Sequence, residues 1–143
     1  MSQLEPYLFF NGNCAEAMRF YEKALGGKLE MMMKASEAPP EASEPCKDAG
    51  AGADAILHSC VMVEGRRLMA SDWMSPEPYP GIHGVSISLV YPTVEEAKRK
   101  FDALAEGGKV IMPPGKTFWI ESFGMLTDRY GANWMINGGK PAI

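Results

Sequence analysis

Two pairs of residues stand at a spacing that could do chemistry. His58 and Cys60, in ILHSCVMV, are two residues apart, so on a strand they share a face. An imidazole beside a thiol is the composition of a base and a nucleophile. Neighbouring same-face positions lie ~6.5 Å apart along the backbone, however, and an apolar strand raises a thiol pKa. His58 alone can be a base, a ligand or a hydrogen-bonded structural residue. Trp119 and Glu121, in TFWIES, alternate with Phe118 and Ile120 and also share a face. They read either as a stacking wall with an acid beside it or as a core aromatic next to an edge carboxylate. His83, in Gly-Ile-His-Gly, reads as solvated. A third stretch, FGMLTDRYGANWMIN, has a turn made by Asp128 and Gly131, and the run after it carries Met135 where a catalytic protein might place a charge. Asp72 and Asp128 each close a hairpin strand and read as turn formers.

These residues need elements to hold them, and the elements repeat. Asn13-Cys14-Ala15-Glu16 and Thr93-Val94-Glu95-Glu96 each open a helix with a capping-box-like pattern. Ala17, Phe20, Tyr21 and Ala24 then recur at helical spacing, as do Val94, Ala97, Phe101 and Leu104. Both helices stop at Gly-Gly-Lys, where glycine can supply a left-handed cap. Strands are predicted over 6–11, 28–34, 55–63 and 66–72 in the first half. In the second they are predicted over 85–91, 109–112, 117–121, 124–128 and 133–137. Matching the hairpin glycine Gly65 to Gly124 places an insertion at residues 36–54, a Pro-, Ala- and acid-rich stretch read as a mobile surface loop.

The chain is thus one domain, 1–143, built of a module 1–80 carrying the inserted loop and a module 81–143. Each is a βαβββ unit. Paired, the two give an α+β fold with a curved mixed sheet around a cleft and the helices outside. Leu8 and Phe10 face one way along the first strand and Tyr7 and Phe9 the other. Both sides are apolar, as expected where one packs a helix and the other lines a dry pocket.

Composition narrows the function classes. A net charge of -4 and a pI near 5.2 offer no basic patch for nucleic acid or an anionic membrane. Three cysteines with irregular spacing match neither a disulfide framework nor a zinc ribbon, and read as reduced thiols in a cytoplasmic protein. No apolar run approaches the ~18 residues of a transmembrane helix, and no signal peptide is read. Of the 11 methionines, Met31, Met32, Met33, Met62, Met69 and Met135 fall on predicted strands, as core filling or as a deformable pocket. SDWMSPEPYPG, residues 71–81, could fold over a cleft mouth as a lid.

The opening YLFFNGNCAEAMRFYEKALGG and the closing FGMLTDRYGANWMIN resemble the PhnB-like branch of the vicinal oxygen chelate superfamily, along essentially the whole chain. That superfamily includes glyoxalase I, the bleomycin and fosfomycin resistance proteins and extradiol dioxygenases. The resemblance implies four inward strand positions that in metal-dependent members ligate one divalent ion. Here they map to Pro6, a residue on the 55–63 strand where His58 is the donor available, Ser86 and Met135. A thioether and a lone imidazole do not make an octahedral site for Mg, Mn or Ni, so no metal or other cofactor is expected.

The expected function is binding of a small, partly apolar or aromatic molecule in a cleft lined by Leu8, Phe10, His58, Cys60, Ser86, Trp119, Glu121 and Met135. No acid–base pair can be named, which leaves catalysis open. The alternatives are a metal-dependent glyoxalase-type lyase or dioxygenase, and methyl transfer, since some branch members carry the label demethylubiquinone methyltransferase. The expected partners are the ligand and a second copy of the chain, in a homodimer that could exchange modules.

Overall fold

The computed structural model describes residues 2–37 and 54–142. Residues 38–53, most of the predicted insertion and Cys46 with it, lie outside the described residues. The chain divides into two compact units, Met1–Gly81 and Ile82–Ile143. Each holds one helix against one face of a four-stranded mixed sheet.

The first unit runs β1 (Tyr7–Phe10), α1 (Cys14–Leu25), β2 (Lys28–Lys34), a 3₁₀ turn at Ala35–Glu37, β3 (Ile56–Val63) and β4 (Arg66–Asp72). The sheet order is β1-β4-β3-β2, with β1 parallel to β4 and the other pairs antiparallel. Cys14, Ala17, Met18, Tyr21 and Leu25 form the buried stripe of α1. They pack on Leu8, Phe10, Val61, Leu68 and Ala70, all buried. The expected capping box is absent: Asn13 makes no side-chain cap bond. Its place is taken by Asp72, whose buried carboxylate accepts the Cys14 N–H at 2.9 Å and the Ile56 N–H at 2.8 Å. A charged acceptor from a distant strand thus satisfies both the start of α1 and the start of β3. Asp72 is therefore a long-range strap rather than a turn former. Gly26 ends the helix in the left-handed region, at φ 67°.

The second unit repeats the plan with β5 (Ile87–Tyr91), α2 (Val94–Ala105), β6 (Lys109–Gly115), β7 (Ile120–Thr127) and β8 (Asn133–Pro141), in the order β5-β8-β7-β6. Here the predicted cap is present: Thr93 Oγ1 accepts the Glu96 N–H at 3.1 Å. Ala97, Phe101 and Leu104 face the sheet. Gly124 and Gly138 let the helix close down, since a Cβ on Gly124 would stand 2.7 Å from the Phe101 ring and one on Gly138 would overlap Ala97.

Three expectations are corrected. The strands predicted at 117–121 and 124–128 are replaced by one, β7, with 117–119 in the bend before it, so the unit is βαβββ, like the first. Gly124, with no Cβ to break the pattern, looks like a turn in sequence and is a packing glycine in space. The glycine that matches Gly65 is Gly131, since both take positive φ in a β-hairpin turn (82° and 93°). The lid at 71–81 is tied down. Trp73 N–H extends the β1 ladder to the Phe10 carbonyl at 2.7 Å, Trp73 Nε1 donates to the Glu77 carbonyl at 2.8 Å, and the Tyr79 hydroxyl donates to the Phe9 carbonyl at 2.7 Å. Tyr79 so caps a backbone acceptor on β1.

Candidate functional site

Strand alternation gives each sheet a helix-packed face and a helix-free face, and strand register fixes which residues share the second. In the first unit the register Met31↔Cys60, Cys60↔Met69 and Met69↔Tyr7 sets one row across β2, β3, β4 and β1. His58 stands opposite Met33, and Phe9 opposite Ser71, in the adjoining positions of the same face. In the second unit Met112↔Met125, Met125↔Met135 and Met135↔Ser88 form the topologically matching row across β6, β7, β8 and β5. Each row therefore sets three sulfur side chains side by side. Thioethers are polarizable and rotatable, so such rows make a deformable apolar surface.

Leu8 and Phe10, expected to line a cleft, lie on the opposite face. Phe10 is fully buried with its ring 6.2 Å from that of Tyr21 on α1, and Leu8 is buried beside it. The helix takes the purely hydrocarbon side of β1, and Tyr7 and Phe9 (38 % and 44 % exposed) are left on the helix-free side. The alternation was visible in sequence, but not which face the helix would cover. The hydroxyl of Tyr7 was the available signal, since a buried phenol needs a partner and a half-exposed one does not.

His58 and Cys60 do share the helix-free face. The Tyr7 hydroxyl lies 3.1 Å from His58 Nδ1, and the two rings stack at 5.6 Å and 27°. Cys60 is not an activated nucleophile, because burial pushes its thiol up. Cys14, hydrogen-bonded to Ser59 at 3.5 Å, is pushed up to about 12 by burial, with the Asp72 carboxylate adding to the shift. Its folded value lies above the unfolded one, so its contribution to stability is complete below the unfolded value and lost as pH rises towards 12. Native protein at neutral pH is thus expected to be alkylated by iodoacetamide at Cys14 about a thousandfold more slowly than in denaturant. Peptide mass spectrometry over a time course measures this, and comparable native and denatured rates would refute it.

In the second unit Met135 is half-buried on the helix-free face. Trp119 lies not in a strand but in the bend before β7, and its ring meets Phe123 edge-on at 5.3 Å and Phe118 at 4.9 Å. Thr117 Oγ1 accepts the Ile120 N–H at 3.2 Å and holds this bend. Glu121 is exposed, and its Oε1 accepts the Lys140 N–H at 2.6 Å, which commits it to the irregular end of the β7–β8 ladder. Ser86 lies just before β5, and the residue registered with Met135 is Ser88. Asn137 was missed by sequence reasoning. Its Nδ2 donates to Ser88 Oγ and to the Leu89 carbonyl, both at 3.2 Å, an arrangement legible only from the register.

The profile of the Glyoxalase/Bleomycin resistance protein/Dioxygenase superfamily matches residues 3–136. The chain belongs to this superfamily. It is 38 % identical to protein YjdN of Escherichia coli K12 over 138 residues, covering 94 % of this chain and 93 % of YjdN. The structure of protein PA1353 from Pseudomonas aeruginosa superposes with a TM-score of 0.86 at 48 % identity, covering 97 % of this chain and 98 % of that one. A PhnB protein from Bacillus cereus, named as a candidate 3-demethylubiquinone-9 3-methyltransferase, superposes with a TM-score of 0.77 at 23 % identity, covering 96 % and 100 %.

Metal-dependent members of a vicinal oxygen chelate fold need inward oxygen and nitrogen donors, and the residues here do not fit that role. Met69 on β4 is the topological counterpart of Met135 on β8, each registered with the first strand of its unit, Tyr7 and Ser88. The second position therefore falls on β4 rather than on the strand of His58. Tyr7 and Met69 in the first unit, and Ser88 and Met135 in the second, each offer one hydroxyl and one thioether. The set first read, Pro6, His58, Ser86 and Met135, adds one imidazole, already engaged by Tyr7. Hard divalent ions take neither set. Among the described residues no three His, Cys, Asp or Glu side chains converge as a metal site.

Proposed function

We propose that this member of the glyoxalase superfamily binds a small, partly apolar or aromatic molecule on the helix-free faces of its sheets without a metal ion. One observation carries the reading: the matching rows Met31, Cys60, Met69 and Met112, Met125, Met135, with aromatic rings beside each. A surface of thioethers and ring edges gains affinity by burying apolar ligand area and adapts to its outline. His58, Cys60, Trp119 and Met135 stay in this proposal, and Tyr7, Phe9, Met69, Phe123, Met125 and Asn137 join it. Leu8 and Phe10 leave it for the core, and Glu121 has a structural task.

No chemical step is assigned: the phenol–imidazole contact on these faces, Tyr7 hydroxyl against His58 Nδ1, is read as a positioning bond. The same proposal places the protein in the cytoplasm as a homodimer. The compartment, though not the dimer, is supported by free, buried Cys14 and Cys60 and, among the described residues, by the lack of any helix long and apolar enough to cross a membrane.

A thermal-shift screen of aryl, alkyl and sugar fragments, with and without EDTA, tests the reading. Apolar aryl fragments are expected to raise the melting temperature equally in both conditions, by the increment that ligation of the native state requires. A rise that EDTA abolishes, or one produced by S-adenosylmethionine alone, would overturn it.

A further inference from the structure

The helix-free face of the first unit is lined by rings in unbroken succession. His58 stacks on Tyr7 at 5.6 Å, Tyr7 meets Phe9 at 5.3 Å, Phe9 meets Trp73 edge-on at 5.6 Å, and Trp73 meets Tyr79 at 6.1 Å. Tyr79 is fixed by its bond to the Phe9 carbonyl and Trp73 by its bond to the Glu77 carbonyl. Such a series presents ring faces and edges at fixed angles, which suits a flat π-system better than an alkyl chain.

One polar contact stands at the end of this series, between the Tyr7 hydroxyl and His58 Nδ1. Either atom can donate, depending on the tautomer; with the phenol on the donating side, Nδ1 accepts. A neutral imidazole that accepts at Nδ1 must carry its proton on Nε2. Tyr7 thereby selects the tautomer of His58 and turns its second nitrogen into a hydrogen-bond donor. The ring is doubly constrained, by this bond and by stacking on the Tyr7 ring. Met33 stands opposite it in register and Cys60 two positions along on the same face.

We propose that His58, oriented by Tyr7, is the specificity-determining anchor of the site: its Nε2–H donates to a carbonyl or oxyanion carried on a planar aryl ligand that lies along the Tyr7–Phe9 rings. This rests on the small-molecule reading above and names the ligand class within it. Tyr7 is a positioning residue, acting on the ligand's polar group through His58, and Phe9 supplies ring contact. The bond selects an acceptor on the ring over a bare hydrocarbon, because a fixed donor that loses water without gaining a partner opposes binding.

The two histidines make the test direct. In protein labelled with 15N-histidine, long-range nitrogen–proton spectra report the tautomer of each imidazole, and exposed His83 serves as an internal reference. His58 is expected as the Nε2–H tautomer, and Tyr7→Phe is expected to move it towards a mixture. The probes are acetophenone and benzoate against ethylbenzene, similar in ring and size but differing in the acceptor. The acceptor-bearing probes are expected to bind about tenfold tighter and to shift the His58 nitrogens without moving those of His83. His58→Ala should remove that preference while all three still bind, and Tyr7→Phe should weaken it. Both side chains are at least partly exposed, and retained thermal melting confirms that the variants fold. Equal affinity for all three probes, or an Nδ1–H tautomer at His58, would overturn the anchor and leave the apolar site standing. Failure of all three probes to bind would overturn the broader reading as well.

Discussion

Replacing Asp128 by alanine is expected to lower the melting temperature by roughly 15 °C. Its carboxylate is buried and accepts three hydrogen bonds: Tyr130 N–H at 2.8 Å, Ala132 N–H at 3.1 Å and Trp134 Nε1–H at 2.8 Å. Bonds to a charged acceptor contribute about 1.5–3 kcal/mol each, and a stranded buried donor costs further. Partial relaxation and non-additivity bring the total to about 4 kcal/mol. Trp134 is almost fully buried on the α2 side of β8, so its indole N–H loses its partner without reaching bulk water. Asp128→Asn sharpens the case. The amide oxygen can still accept from the turn, but the NH2 group then faces the indole N–H, so about half the loss should remain. Thermal and denaturant melts of both variants decide this, and an unchanged midpoint for Asp128→Ala would refute the accounting.

Asp72→Ala is expected to be nearly as costly, roughly 3–4 kcal/mol, for a different reason. Asp72 joins two segments far apart in sequence, the first turn of α1 and the first residue of β3. Its removal strands two buried N–H groups and leaves the N-terminal end of α1, where backbone dipoles concentrate positive charge, without its anion. Hydrogen exchange should therefore rise first at Cys14 and Ile56. A uniform rise across the first unit, with no local excess at these two amides, would contradict the strap.

The repeated βαβββ plan was legible because its cues are local. The apolar stripes of α1 and α2, the glycine cap of α1 at Gly26 and the Asp128–Gly131 turn are each set within a few residues, whereas α2 ends on Glu106 in extended conformation rather than on its expected left-handed glycine cap. What failed depended on contacts distant in sequence. Asn13 has the composition of a cap, yet the cap comes from Asp72, 58 residues apart from Cys14. Gly124 has the composition of a turn, yet its bare Cα accommodates Phe101. The site shows the same division. That His58 and Cys60 share a face follows from alternation, whereas the choice of Tyr7 and Phe9 over Leu8 and Phe10 is made by where α1 lies. The methionine rows needed strand register, which no single strand encodes.

Elemental analysis of the purified protein, expressed in medium supplemented with Mn, Ni, Zn and Mg and then desalted, tests the central claim of a metal-free ligand site most directly. The hydroxyl and thioether side chains at Tyr7, Met69, Ser88 and Met135 predict well under a tenth of an equivalent of any divalent metal per chain, with ligand affinity unchanged by EDTA. One equivalent of a divalent metal per chain, lost together with ligand binding on chelation, would contradict it.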